Sequence, residues 1–113
     1  MSRHEASATL RQMRTYAHEA MEMAGSATRA DLDRDTVLTR ALVHTLEMIG
    51  EAARRVSAEV QAKCREIPWG ELIALRNRLI HGYDRVDLDA VLEIALHDLP
   101  PLAAELDRVI AAL

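Results

Sequence analysis

The chain contains no phenylalanine, one tryptophan and two tyrosines. A core built from its 113 residues must therefore be filled by Leu, Ile, Val, Met and Ala. That composition suits helices packed on helices, and the chain lacks the β-branched and aromatic runs typical of strands. Four glycines and three prolines leave few turns. The single cysteine, Cys64, excludes an internal disulfide and fits a reducing cytosol. A small apolar residue near a helix end accounts for it. The opening MSRHEASATL is too polar for a secretory signal, and no apolar run is long enough to span a membrane. An excess of positive charge is also missing, since the formal net charge is −4. A nucleic-acid coat protein would be basic, so any nucleic-acid contact must come from a local cluster. The length fits one domain covering residues 1–113.

What is present is helical periodicity. Leu10, Met13, Ala17, Ala20, Met21 and Ala24 fall on one face of a predicted helix over about Glu5–Ala24, ended by Gly25-Ser26. In the acidic stretch that follows, Asp33 or Asp35 can cap the next helix. The pattern predicts that helix over roughly Thr36–Ala62. Its seam is Leu38, Leu42, Thr45, Ile49, Ala52 and Val56, widened by Leu46, Met48 and Val60. So wide an apolar surface suits a helix facing both its own core and a partner chain. Pro68 opens a third helix, apolar on nearly every side through Trp69, Leu72, Ile73, Leu75, Leu79 and Ile80, with Gly82 as its stop. A fourth helical region starts near Asp87 or Asp89, and Pro100-Pro101 must kink or restart it. The expected fold is all-α, a four- to five-helix up-and-down bundle.

One segment carries chemistry. Arg76, Asn77, Arg78 and His81 interrupt the most apolar helix, where cations are costly unless paired. At about 100° per residue, Arg76 and Tyr83 share a face, and a break at Gly82 can turn His81 back toward Arg76. Histidine can take and give a proton near neutral pH, and the guanidinium fork matches phosphate oxygens. The pair suits cleavage of RNA by its own 2′-hydroxyl, with Arg stabilising the charged intermediate. One chain offers one such His; a two-fold dimer offers two. The residues leave a second account open, in which His81 caps a helix end and Arg76 and Arg78 pair with acids such as Glu47 or Glu51.

The run Arg76-Asn77-Arg78-Leu79-Ile80-His81-Gly82-Tyr83 resembles the Arg-x4-His-x-Tyr signature of HEPN-domain RNases, in particular the HepT-like toxins. Ile49-Gly50-Glu51-Ala52-Ala53-Arg54-Arg55, Ile67-Pro68-Trp69, Val86-Asp87-Leu88-Asp89 and Asp98-Leu99-Pro100 look like the same family. The resemblance implies a homodimeric HEPN bundle and RNA cleavage without metal or other cofactor. It gives catalytic roles to Arg76 and His81 and a supporting, phosphate-binding role to Asn77 and Arg78. It also implies a toxin–antitoxin pair in the cytoplasm, whose partner is a minimal nucleotidyltransferase (MNT-type) antitoxin. That antitoxin can attach AMP to the motif tyrosine, here Tyr83. The competing reading within the family is a non-catalytic module that binds nucleotides or assists a nucleotidyltransferase.

Other features have plain explanations. The Asp31–Asp35 run lacks the glycine and glutamate of a calcium loop, so capping accounts for it. His4, His18, His44 and His97 show no metal-ligand spacing. Met13, Met21, Met23 and Met48 read as core or interface filler. Arg54-Arg55 read as a solvated face that could hold RNA or the antitoxin.

Overall fold

A computed structural model of the chain describes residues 1–82 and 85–113. It is an all-α bundle. Helix α1, Arg3–Ala24, begins two residues earlier than its apolar pattern because Ser2 and Glu5 form a capping box. Gly25 ends it at φ +50°, a conformation that favours glycine. The acidic stretch itself folds into a short helix, α2, Arg29–Arg34, capped by Thr28 and Asp31. Asp35 then caps α3, Thr36–Arg55, by accepting from the Leu38 amide at 3.0 Å.

The long helix expected to reach Ala62 stops at Arg55. Val56 is extended, and Ser57 caps a separate helix, α4, Ala58–Lys63. A serine that accepts from the Val60 amide competes locally with helix continuation, and that outweighed the continuing apolar period.

The third expected helix is also divided. It consists of α5, Trp69–Ile73, and α6, Leu75–Leu79, separated by Ala74 at φ −85°, ψ 2°. It does not run to Gly82. The chain leaves α6 at Ile80 as a strand, β1, Ile80–His81, paired antiparallel with β2, Arg85–Val86. Asp87 caps α7, Leu88–Glu93, as expected. A single π turn, Ile94–Asp98, joins α7 to α8, Leu99–Ala112. Pro100 and Pro101 have no N–H to donate. The wider π turn restarts the helix so that both prolines fall in the first turn, where no donor is needed.

Helix α1 packs on α3 and α8, while α3 also holds α5 and α6. Ala17, Ala20, Ala52 and Ala53 are fully buried, and these short side chains let the helix axes come close. Leu10, Met13, Leu42, Leu46, Ile49, Leu79, Ile94, Leu99 and Leu106 fill the centre. Each such side chain contributes on the order of 1.5–3 kcal/mol relative to exposure. Trp69 is buried with its indole N–H donating to the Cys64 carbonyl at 3.0 Å, so the one large aromatic adds bulk without an orphaned donor. No helix among the described residues is long and apolar enough to cross a membrane.

Two helices approach closely at Gly50, in the middle of α3. A Cβ there would lie 2.6 Å from the Leu72 carbonyl oxygen of α5. Backbone cannot swing aside as a side-chain tip can. Gly50→Ala is therefore expected to lower stability by about 1–3 kcal/mol despite alanine's better helix propensity. Urea unfolding checks this, and an unchanged midpoint would mean that α5 can move away from α3 at no cost.

Candidate active site

Leu72, Leu75 and Leu79 face the core at spacings of three and four and seat α5 and α6 on α3. The opposite side of α6 faces water. Arg76, Asn77 and Arg78 are exposed, and among the described residues no polar or charged side chain is buried. The expected cost of buried cations therefore does not arise. The apolar residues of this segment make one face and leave the arginines on the other.

Each cation has its own acid. Arg76 Nε lies 3.8 Å from Glu47 Oε2 of α3, with the arginine side chain 67 % exposed. Arg78 donates to Asp98 in the π turn at 2.8 Å. Glu47 is thus the partner anticipated for a motif arginine, whereas Asp98 was not. Pairs this exposed contribute little stability, and another anion can displace the acid. Arg54 donates to the Ile73 carbonyl at 3.5 Å, at the end of α5.

His81 lies in β1, not at a helix terminus. The helix phase that would place Arg76 and Tyr83 on one face ends at Leu79. Tyr83 itself, the expected modification site, lies outside the described residues. The hairpin pairs Ile80 with Val86 and His81 with Arg85, and the Asp87 amide donates to the Leu79 carbonyl at 2.8 Å. This register brings the Asp87 carboxylate to the His81 ring, with Nε2 3.3 Å from Oδ2. The other oxygen, Oδ1, accepts from the Ala90 amide at 3.0 Å. That amide bond and the hydrogen bond from His81 hold the Asp87 carboxyl below its ordinary value of 3.8.

His81 and Asp87 open onto a cleft of about 360 Å³, also lined by Arg29, Arg85 and Asp89. Arg29 of α2 donates to Asp89 at 2.8 Å and to Asp33 at 3.4 Å. Arg76 does not line this cleft. Within one chain the two expected catalytic residues therefore sit on neighbouring surfaces. Asp87 was legible only as a helix cap, and strands of two residues leave no alternation by which the hairpin could have been foreseen. Among the described residues, no group of three or more His, Cys, Asp or Glu side chains is arranged to hold a metal ion.

The bundle thus presents an arginine and a histidine five positions apart on its surface, the histidine in an open cleft lined by cations and acids alike. The Ribonuclease HepT-like family profile matches residues 13–109. The chain belongs to the HepT-like ribonuclease family, and its class is that of an endoribonuclease. A provisionally named RNase of Caldanaerobacter subterraneus subsp. tengcongensis is 36 % identical over 80 residues, 71 % of each chain. A provisionally named RNase of Methanocaldococcus jannaschii is 28 % identical over 109 residues, covering 96 % of this chain and all of its own. A protein of Thermococcus cleftensis named "Probable ribonuclease HepT" is 30 % identical over 95 residues, 80 % of this chain and 86 % of its own. No solved structure matches.

The Asp87 carboxylate makes a testable contribution to stability. Its folded value is depressed, so its charge stabilises the fold fully above the ordinary value of 3.8. That stabilisation is lost as the pH falls through the lower folded value. Asp87→Asn should be slightly less stable than wild type at neutral pH, and the gap should close as the solution is acidified below about pH 4. Denaturant midpoints across that range test it. A gap that stays constant would show that the carboxylate charge does not matter to the fold.

Proposed function

We propose that the chain is the toxin of a toxin–antitoxin pair, a cytoplasmic homodimer that cuts RNA without metal through Arg76 and His81. The observation that carries this reading is the placement of the motif. Its cations are at the surface, each paired among the described residues with an acid that phosphate can replace, and its histidine stands in an open cleft. His81 removes the 2′-hydroxyl proton. The 2′-oxygen–phosphorus bond forms while the phosphorus–5′-oxygen bond breaks, which leaves a 2′,3′-cyclic phosphate and a 5′-hydroxyl. Arg76 stabilises the doubly charged phosphorane. A second histidine, from the other chain of a dimer, protonates the leaving oxygen.

A dimer also answers the separation of Arg76 from the His81 cleft, since a second copy can bring its own motif alongside. Val37, 80 % exposed on α3, offers apolar surface for such an interface. Asn77 and Arg78 are assigned to phosphate binding, with Arg78 exchanging Asp98 for the substrate. A binding-only module is the competing reading. A histidine joined to a carboxylate in an open cleft favours proton transfer instead.

Arg76→Ala and His81→Ala should each reduce cleavage of single-stranded RNA by about a hundredfold or more while leaving the fold intact. Cleavage should survive EDTA and fail on substrate lacking the scissile 2′-hydroxyl. Full activity in either variant, or efficient cutting of the deoxy substrate, would overturn the assignment.

The antitoxin is assigned as an MNT-type nucleotidyltransferase that transfers AMP to Tyr83. The added phosphate would pair with Arg76 and occupy the place of the RNA phosphate. Co-expression with the cognate nucleotidyltransferase should add one AMP, and peptide mapping should place it on Tyr83. Neutralisation by an antitoxin disabled in its own active site, with no AMP added, would show inhibition by binding alone.

A further inference from the structure

The hairpin gives His81 a fixed neighbour that the Arg-x4-His pattern does not contain. Asp87 uses its two carboxylate oxygens for different tasks. Oδ1 accepts from the Ala90 amide and starts α7, which holds the carboxylate in place. Oδ2 is left for the imidazole, 3.3 Å from Nε2. The backbone bond from the Asp87 amide to the Leu79 carbonyl ties the same residue to the end of the motif helix. The carboxylate is thus anchored at both its side chain and its main chain before it meets the ring.

We propose that Asp87 is a positioning residue for His81, setting the tautomer that makes Nδ1 the proton-transfer atom. The carboxyl is held in its ionised form, which can only accept. Nε2 must therefore carry the proton and donate it. In the neutral ring the lone pair is then on Nδ1, which makes no hydrogen bond to the described residues. This deepens the reading of His81 as the catalytic base and rests on it. In the cleavage step Nδ1 takes the 2′-hydroxyl proton as the 2′-oxygen–phosphorus bond forms and the bond to the 5′-oxygen breaks. Nε2 keeps its proton throughout, and Asp87 faces the positive charge that appears on the ring. Arg29, Arg85 and Asp89 share the cleft, but the imidazole is hydrogen-bonded to Asp87. A carboxylate that orients a histidine and stabilises its imidazolium is a recurrent device in acid–base catalysis.

Asp87→Asn tests the proposal. Asparagine caps a helix as well as aspartate does, so α7 keeps its start. With its oxygen on the Ala90 amide, the amide nitrogen faces His81 and donates to Nε2, which moves the ring proton to Nδ1. The expected result is a loss of kcat of about tenfold or more with KM changed by less than about twofold. Nitrogen-15 NMR of the imidazole, assigned by subtracting the His81→Ala spectrum, should show the Nε2–H form in wild type and the Nδ1–H form in the variant. Wild-type kcat, or the same tautomer in both proteins, overturns the proposal. If Asp87→Asn does not fold, Asp87→Ser replaces it. Serine keeps the cap with its one oxygen and has none left for the ring, so kcat should fall and the tautomers should mix. A wild-type protein with no RNase activity would refute the proposed function instead, while the NMR comparison would still decide the role of Asp87.

Discussion

The contact of α3 with α5 at Gly50 is the constraint on which the rest of the site depends. Only a residue without Cβ lets the Leu72 carbonyl come so near. Leu72 of α5 and Leu75 and Leu79 of α6 are buried, and their burial sets which side of α6 faces the core. Once that rotation is set, Arg76, Asn77 and Arg78 have only the solvent side left to them. The same helix α3 carries Glu47, which reaches Arg76 from below. The close packing at this glycine and the buried leucines beside it thus leave the motif arginine on the solvent face.

The second determinant is the short hairpin. Its two-residue strands bury little, and its register is held by the pairing of His81 with Arg85 and by the Asp87 amide on the Leu79 carbonyl. A slip of one residue would send His81 to the other face of the ribbon. The helix cap at Asp87 resists such a slip, because moving the residue would cost α7 its first hydrogen bond. Local capping chemistry and the placement of the motif histidine are therefore carried by one side chain.

The electrostatics follow the same economy. The chain is acidic overall; Arg76 and Arg78 stand on α6, and Arg29 and His81 line the cleft, each with a carboxylate partner. These pairs are exposed and individually weak. A polyanion can compete for the arginines by displacing their carboxylate partners.

Much of this was legible along the chain. Apolar steps of three and four determined that the fold is helical, and Asp35 and Asp87 were readable as helix caps, whereas the caps at Ser2 and Thr28 came only with the structure. The residues of the Arg-x4-His motif could be named because their types and spacing are a property of the sequence itself. The places where long helices break were harder to see, since Ser57 and Ala74 interrupt patterns that remain apolar on either side. Burial of the arginines was misjudged because a segment only five residues long can be rich in leucine and still turn one side to water. Tertiary structure alone decided the partners. Asp98 for Arg78 and Glu47 for Arg76 lie 20 and 29 positions away along the chain, and only packing sets such distances. Asp87 is six residues from His81, yet the contact exists because the backbone reverses between them. Periodicity encodes which face of an element is buried; it carries no information on what that element is folded against.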